Sequence, residues 1–312
     1  RMHFDHEVDV IVVGSGTGLC GALAAATAGA KVLVLEKHPV VGGTTLVSGG
    51  VAWVPNNNVM KREGLEDNRE SALRYLRKLS RGQADEEVME AFVDNGPNML
   101  DFLEANSPLR FRVSLLMGKV ADYHADWADS RARGRSVETV QDKPGMSGGL
   151  LIGGLLQGCQ DKGVDIRAAT PAHRLIVERK GDARHVIGVE ALRDGKPWRV
   201  RARRGVLMAS GGFERNPTMV KHFLRGPMLY TWGAESNEGD GIRMGMDIGA
   251  DLRNMNECWG QAVYTEDGER NGKVRGAISL YAQIERRYPA SICVNRYGKR
   301  WANEGAAYDV TW

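Results

Sequence analysis

The chain has 312 residues, 42% hydrophobic and 26% charged, the composition of a folded globular protein with room for one large domain and part of another. Its 42 basic and 39 acidic residues leave a net charge of +3, which gives no electrostatic footprint for nucleic acid. The four cysteines, Cys20, Cys159, Cys258 and Cys293, form no CxxC pair or metal-spaced cluster, so neither zinc nor an iron–sulfur centre is expected, and no apolar run reaches membrane-spanning length.

Residues 8–13 (VDVIVV) are an apolar, β-branched run, read as a buried parallel strand. The loop Gly14-Ser15-Gly16-Thr17-Gly18 follows, then an alanine-rich helix over 19–28 that Gly29 is placed to end. Residues 31–35 (KVLVL) give a second strand, closed by Glu36. This order makes a nucleotide-binding βαβ unit. Glycines at 14 and 16 let the backbone turn tightly beside a pyrophosphate lying over the helix N-terminus. Glu36 stands 20 residues after Gly16, where a carboxylate can accept hydrogen bonds from a ribose. The usual third glycine would be at 19, where the chain has Leu19; its glycine is at 18, so the helix start is expected to depart from the usual shape.

The unit alone serves FAD and NAD alike. A polar, flexible loop comes next, carrying Gly42-Gly43-Thr44-Thr45 and Ser48-Gly49-Gly50. It suits wrapping a ribityl chain better than the crossover helix that a nicotinamide domain would normally continue with. Residues 67–106 read as two amphipathic helices broken near Arg81-Gly82, residues 117–149 as loop, 150–162 as helix and 164–168 as strand. Strands over 174–179, 185–192 and 198–203 suggest an antiparallel meander. A separate buried strand is expected over 206–209 (VLMA), leading into Ser210-Gly211-Gly212, and a hairpin signal occupies 294–299.

On these residues the chain resembles the FAD-dependent flavoproteins related to fumarate reductase and 3-ketosteroid Δ1-dehydrogenase. The resemblance runs through GSGTG at 14–18, EK at 36–37, GGTTLVSGG at 42–50, SGGFERN at 210–216, GDGIRMG at 239–245 and VNRYGKRWANE at 294–304. WVPNN at 53–57 and GRS at 134–136 look more like the ketosteroid branch than the dicarboxylate branch. The resemblance implies an α/β fold: a Rossmann-like FAD-binding domain of the glutathione-reductase type with a meander over 1–262, and the beginning of a capping domain over 263–312. More of that cap is expected than this chain carries.

By the same resemblance, Gly14, Ser15, Gly16, Thr17 and Gly18 should hold the FAD pyrophosphate, and Glu36 with Lys37 the adenosine. Gly43, Thr44, Thr45, Ser48, Gly49 and Gly50 should lie along the ribityl chain and flavin. The backbone of Ala172 should face the adenine, and Gly211, Gly212 and Asp240 should complete the cradle, although Gly-Asp-Gly is also a plain turn sequence. Some relatives attach FAD through a histidine where this chain has Gly43, so non-covalent FAD is expected.

The implied chemistry introduces a C=C bond beside a ring ketone, with hydride to flavin N5 and the α proton to a base. Dicarboxylate relatives place an arginine shortly after the Asn-Glu of the cap and carry a His-Pro-Thr segment. Here Asn303-Glu304 runs into Gly-Ala-Ala-Tyr308, and residues 256–264 hold no histidine. Tyr308 is the expected base. Tyr123 is a second candidate, with aromatic packing of its loop an equal alternative. The partners implied are a small cyclic ketone, a steroid in the branch resembled, and an electron acceptor. Scattered single thiols suit a cytoplasmic protein, in solution or at a membrane periphery. A fumarate-reductase-like dicarboxylate enzyme and a non-catalytic FAD-binding electron-transfer subunit stay open as alternatives.

Overall fold

The computed structural model describes residues 2–115, 122–142, 147–226, 228, 230–260 and 292–304. Most of the segment expected to begin a cap, 263–291 and 305–312, lies outside the described residues.

The chain opens with β1 (His6–Val13), α1 (Gly18–Thr27) and β2 (Val32–Leu35), followed by the short helix α2 (Gly43–Val47). β3 (Ala52–Trp53), α3 (Asn58–Arg62), α4 (Arg69–Ser80), α5 (Glu86–Asn106), β4 (Phe111–Val113) and β5 (Ser136–Thr139) come next, and residues of α3, α5, β4 and β5 share one core with the βαβ unit. The chain returns through α6 (Gly148–Asp161) and β6 (Asp165–Arg167) to the long strands β7 (Ala172–Lys180), β8 (Ala183–Arg193) and β9 (Lys196–Met208). Two helices follow, α7 (Pro217–Phe223) and α8 (Asp240–Asp247).

Six strands make one sheet in the order β6-β2-β1-β9-β8-β7, parallel from β6 to β9 and antiparallel from β9 to β7. β2 and the inner half of β1 are buried on both faces. Val12 and Val34 point to the side covered by α1, α5 and α6, where they meet Leu19, Leu23, Leu100 and Leu155. Ile11, Val13, Leu33 and Leu35 point the other way, onto Leu175, Val189 and Val200 of the meander. Such two-sided burial explains why these strands read as continuous apolar runs. β3, β5 and β4 form a separate three-stranded antiparallel sheet.

The parallel strands finish level with one another. Val13 pairs with Leu35 and with Met208, and Leu35 with Arg167. Gly14 N–H donates to the Leu35 carbonyl, and Ala209 N–H to that of Val13, both at 2.8 Å. A crevice therefore opens at the carboxyl ends of the strands, where open α/β sheets bind their ligands.

Asparagine side chains start three helices. Asn57 accepts from Met60 N–H, Asn68 from Ser71 N–H and Asn216 from Met219 N–H, each satisfying one of the unpaired amides of a first turn. The break between α4 and α5 falls where expected, with Arg81 and Gly82 both at positive φ.

The fold departs from the sequence reading in three places. Residues 43–47 are helical, although glycine and threonine are poor helix formers. Packing against α6 decides there: Gly42 precedes the helix at φ +121°, and a Cβ on it would crowd Ile152 at 3.0 Å. Residues 136–139, read as loop, pair with both β3 and β4. Residues 206–208 are the end of β9 instead of a separate strand, and Leu207 is 42% exposed instead of buried. A bulge opposite Val8–Val10 lets β9 leave β8 and continue along β1.

Candidate functional site

At the ends of the parallel strands lies a cleft of about 930 Å³, its open mouth included. Gly14, Ser15, Gly16, Thr17, Glu36, Lys37, Gly43, Thr44, Thr45, Ala172, Gly211 and Asp240 all line it. Residues far apart in sequence thus line one cleft.

The glycine loop is shaped by close backbone approach. Gly14 has φ +99°, and a Cβ there would stand 2.2 Å from the Ala209 carbonyl oxygen. Neither group can move aside. Gly14→Ala should therefore cost FAD affinity roughly tenfold or more, since a strained φ alone costs ~1–3 kcal/mol. Fluorescence titration with FAD checks this, and an unchanged affinity would show that the loop does not carry the cofactor. The first turn of α1 holds no acidic residue, and no side chain caps it. Its positive end stays free for an anion such as a pyrophosphate.

Glu36 braces this loop from within. Its buried carboxylate accepts from Ser15 N–H at 3.1 Å, from the Ser15 hydroxyl, and from His38 N–H at 2.7 Å. Ser15 Oγ in turn accepts from Gly42 N–H at 2.8 Å. One carboxylate thereby joins the tip of β2, the first glycine loop and the second. A carboxylate has about four acceptor sites, so capacity remains for a ribose hydroxyl.

The opposite wall comes from α2 and from residues 209–240. Thr44 Oγ1 accepts from Ala234 N–H at 2.9 Å and from Asn237 Nδ2 at 3.0 Å. Lys37 pairs with Glu238 and with Asp240, the latter at 2.8 Å. Burial pulls the Lys37 pKa down, but these two carboxylates outweigh it and raise the group above its ordinary value. Asp240 is the first residue of α8, after Gly239 at φ +77°, so the Gly-Asp-Gly sequence opens a helix and is not a plain turn.

Five expected residues stand beside the cleft lining and have packing roles. A Cβ on Gly18 would meet Val12 at 2.8 Å, which shows how closely α1 lies on β1. Ser48 and Gly49 accept from the Gly148 and Ser147 amides, and a Cβ on Gly50 would stand 2.5 Å from Gly148 N, so this segment fixes the start of α6. A Cβ on Gly212 would meet the Glu214 carboxylate at 2.6 Å. Ser210, Ser236 and Asn237 line the cleft without having been expected. Their one sequence signal was position: Ser210 opens the SGGFERN motif, and Ser236 and Asn237 come just before GDGIRMG.

Tyr123 is 39% exposed on the 122–135 loop and is not part of the cleft lining. Tyr308 lies outside the described residues. Asp122, the neighbour of Tyr123, belongs to a buried ionic node. Arg135, with no side-chain exposure, grips Asp67 through Nε and Nη2, both at 2.8 Å, and Asp122 through Nη1 at 2.9 Å. Asp122 also accepts from Trp53 Nε1 and from Arg131 N–H, both at 3.0 Å. The guanidinium lies over both the Trp53 and Tyr75 rings, 5.6 and 5.4 Å from their centroids.

A glycine-lined crevice, a free helix start and an acid at the tip of the second strand fit a dinucleotide. The sequence agrees: residues 9–311 match the FAD binding domain family, and the chain belongs to it, with FAD as its cofactor. The chain is 33% identical to 4-oxocyclohexanecarboxylate 2-dehydrogenase of Sinomonas cyclohexanicum, over 96% of its own length and 59% of that protein. It is 31% identical to 3-oxosteroid 1-dehydrogenase of Mycobacterium tuberculosis, over 97% of its length and 63% of that protein. The crystal structure of 3-ketosteroid delta1-dehydrogenase from Sterolibacterium denitrificans in complex with 1,4-androstadiene-3,17-dione superposes with a TM-score of 0.86 at 27% identity, covering 97% of this chain and 64% of that one. The chain thus spans about six tenths of the length of these relatives.

Proposed function

We propose that the protein to which this chain belongs is an FAD-dependent dehydrogenase that introduces a C=C bond beside a ring ketone. One observation carries the proposal: along nearly its whole length the chain is similar both to a dehydrogenase of an oxocyclohexane carboxylate and to one of a 3-oxosteroid. The two substrates share a ring bearing a ketone and little else, so the ketone ring is the common element. Bound FAD supplies the hydride acceptor.

The chain's own residues would divide the remaining work. The amides of the Gly14–Gly18 loop and the start of α1 hold the pyrophosphate, and Glu36 takes a ribose hydroxyl. Lys37 and Asp240 bound the adenosine end, where Ala172 presents its backbone to the adenine. Gly43, Thr44 and Thr45 run along the ribityl chain, with Ser48, Gly49 and Gly50 supporting them and Gly211 and Gly212 closing the cradle. Tyr308 takes the proton α to the ketone, with Tyr123 as a second phenol near the substrate. Gly43 offers no atom for covalent attachment, so FAD is bound non-covalently. Residues 1–262 form the FAD-binding domain in this reading, and a cap begins at 263. Among the described residues no helix is long and apolar enough to cross a membrane, and we place the protein in the cytoplasm or at a membrane periphery.

The test uses the full-length protein with an artificial electron acceptor. Androstenedione or 4-oxocyclohexanecarboxylate should lose two hydrogens and gain a ring double bond, and acid should release free FAD into the supernatant. Reduction of fumarate, with neither ketone converted, would overturn the reading. Bound FAD without turnover of any of them would point to an electron-transfer subunit.

A further inference from the structure

Thr44 meets a pair of side chains, Asn237 and Glu214, to which the sequence reading gave no role, although Glu214 lies within SGGFERN. Asn237 is 8% exposed and lines the cleft. Its Nδ2 donates to Glu214 Oε1 at 2.6 Å and to Thr44 Oγ1 at 3.0 Å. A carboxylate only accepts, so Glu214 settles which end of the amide is nitrogen. Asn237 Oδ1 must then face the other way, and among the described residues nothing donates to it.

Glycines keep the space around this pair. A Cβ on Gly211, itself in the cleft lining, would stand 2.8 Å from Asn237 Oδ1. Cβ atoms on Gly212 and Gly233 would collide with the two Glu214 carboxylate oxygens, at 2.6 and 1.7 Å. The arrangement reaches Thr44 as well. Both lone pairs of Thr44 Oγ1 are filled, by Ala234 N–H and Asn237 Nδ2, so its hydroxyl hydrogen is the end left over. An acceptor and a donor therefore stand side by side in the cleft.

We propose that Asn237 is a cofactor-binding residue, that its Oδ1 and the Thr44 hydroxyl together take a polar group of FAD that both donates and accepts, and that Glu214 is the positioning residue that fixes the amide. The inference rests on the FAD reading of the cleft. Asn237 Oδ1 has no donor among the described residues and Asn237 lines the cleft, so a cofactor group that donates to it adds a hydrogen bond the protein does not make.

The experiment is FAD titration of the full-length protein by flavin fluorescence, with thermal melts of the FAD-free forms as a folding control. Asn237→Ala should weaken FAD binding about tenfold, the usual scale for a buried hydrogen bond. Glu214→Gln keeps the shape, but its amide can pair with Asn237 in either orientation. It should weaken binding by roughly threefold, and by nothing further in the Asn237→Ala background, because it acts only through Asn237. That vanishing second effect separates orientation from general loosening, which would persist in both backgrounds. FAD on the unaltered protein and equal affinity in Asn237→Ala would overturn this inference alone. No FAD on the unaltered protein would overturn the cofactor reading with it. If Asn237→Ala does not fold, unchanged affinity in Glu214→Gln still refutes the proposal.

Discussion

Arg135→Met is expected to destabilise the protein by about 3–5 kcal/mol, the usual result of removing one partner from a buried ion pair. Asp67 and Asp122 would stay behind, with side-chain exposures of 0% and 5%. Arg131, 3.3 Å from Asp67, would be the nearest remaining guanidinium. Burial alone would raise the Asp67 pKa, but the bidentate bond from Arg135 overrides it and holds the carboxyl below the ordinary aspartate value. In the unaltered protein Asp67 therefore contributes stability above the unfolded pKa of ~3.9, and this is lost as pH falls through the lower folded value. In the variant the sign reverses: the uncompensated carboxylate costs stability at neutral pH, and protonation relieves it. The difference between the two proteins should thus be largest near pH 7 and shrink toward pH 4. Urea unfolding at both pH values measures it. A variant within 1 kcal/mol of the parent at pH 7 would mean that water reaches the node. Arg135→Lys should recover only part of the loss, since an ammonium cannot make the two-pronged bond.

Tyr308→Phe should lower dehydrogenation by about two orders of magnitude, the share usually supplied by a placed general base. The motive is the spacing Asn303-Glu304-Gly-Ala-Ala-Tyr308, which puts a phenol where dicarboxylate relatives put a guanidinium. A charged group facing an apolar ring would lose its hydration without gaining a partner. The structure describes the beginning of this segment. Val294 bridges to Arg300, and Arg300 with the Cys293 amide holds the Glu304 carboxyl down at about 2. The phenylalanine keeps the ring and removes only the hydroxyl, so FAD content and melting temperature should be unchanged. Near-normal turnover on a ring ketone would refute the role of Tyr308. A parallel loss of FAD would instead mark a packing residue.

The parts legible in the sequence were those set by local rules. The first βαβ unit was readable because its strands are short apolar runs and its loop needs glycine. The α4–α5 break was readable because Gly82 disfavours helix and is suited to the positive φ it adopts there. Helix α2 was not, because its residues disfavour a helix and contact with α6 decides their conformation. The continuous β9 was not, since the bulge that carries it past β8 belongs to pairing with β1, nearly two hundred residues earlier. Asn237 and Glu214 were given no role for a related reason: the proposed role lies in how an amide is turned, and a carboxylate 23 residues away in sequence fixes that.

The meeting of Gly14 with the carbonyl of Ala209 has a bearing on how the protein is made. The two residues are 195 positions apart, and each supplies a wall of the same cleft. At ~5–20 residues per second, a ribosome takes roughly 10–40 s to pass from one to the other. During that interval the nascent chain has a finished glycine loop and nothing to press it against. With FAD bound as proposed, loading is expected late in synthesis, after Asp240 has emerged, and the earlier part of the chain must stay out of aggregates without its ligand.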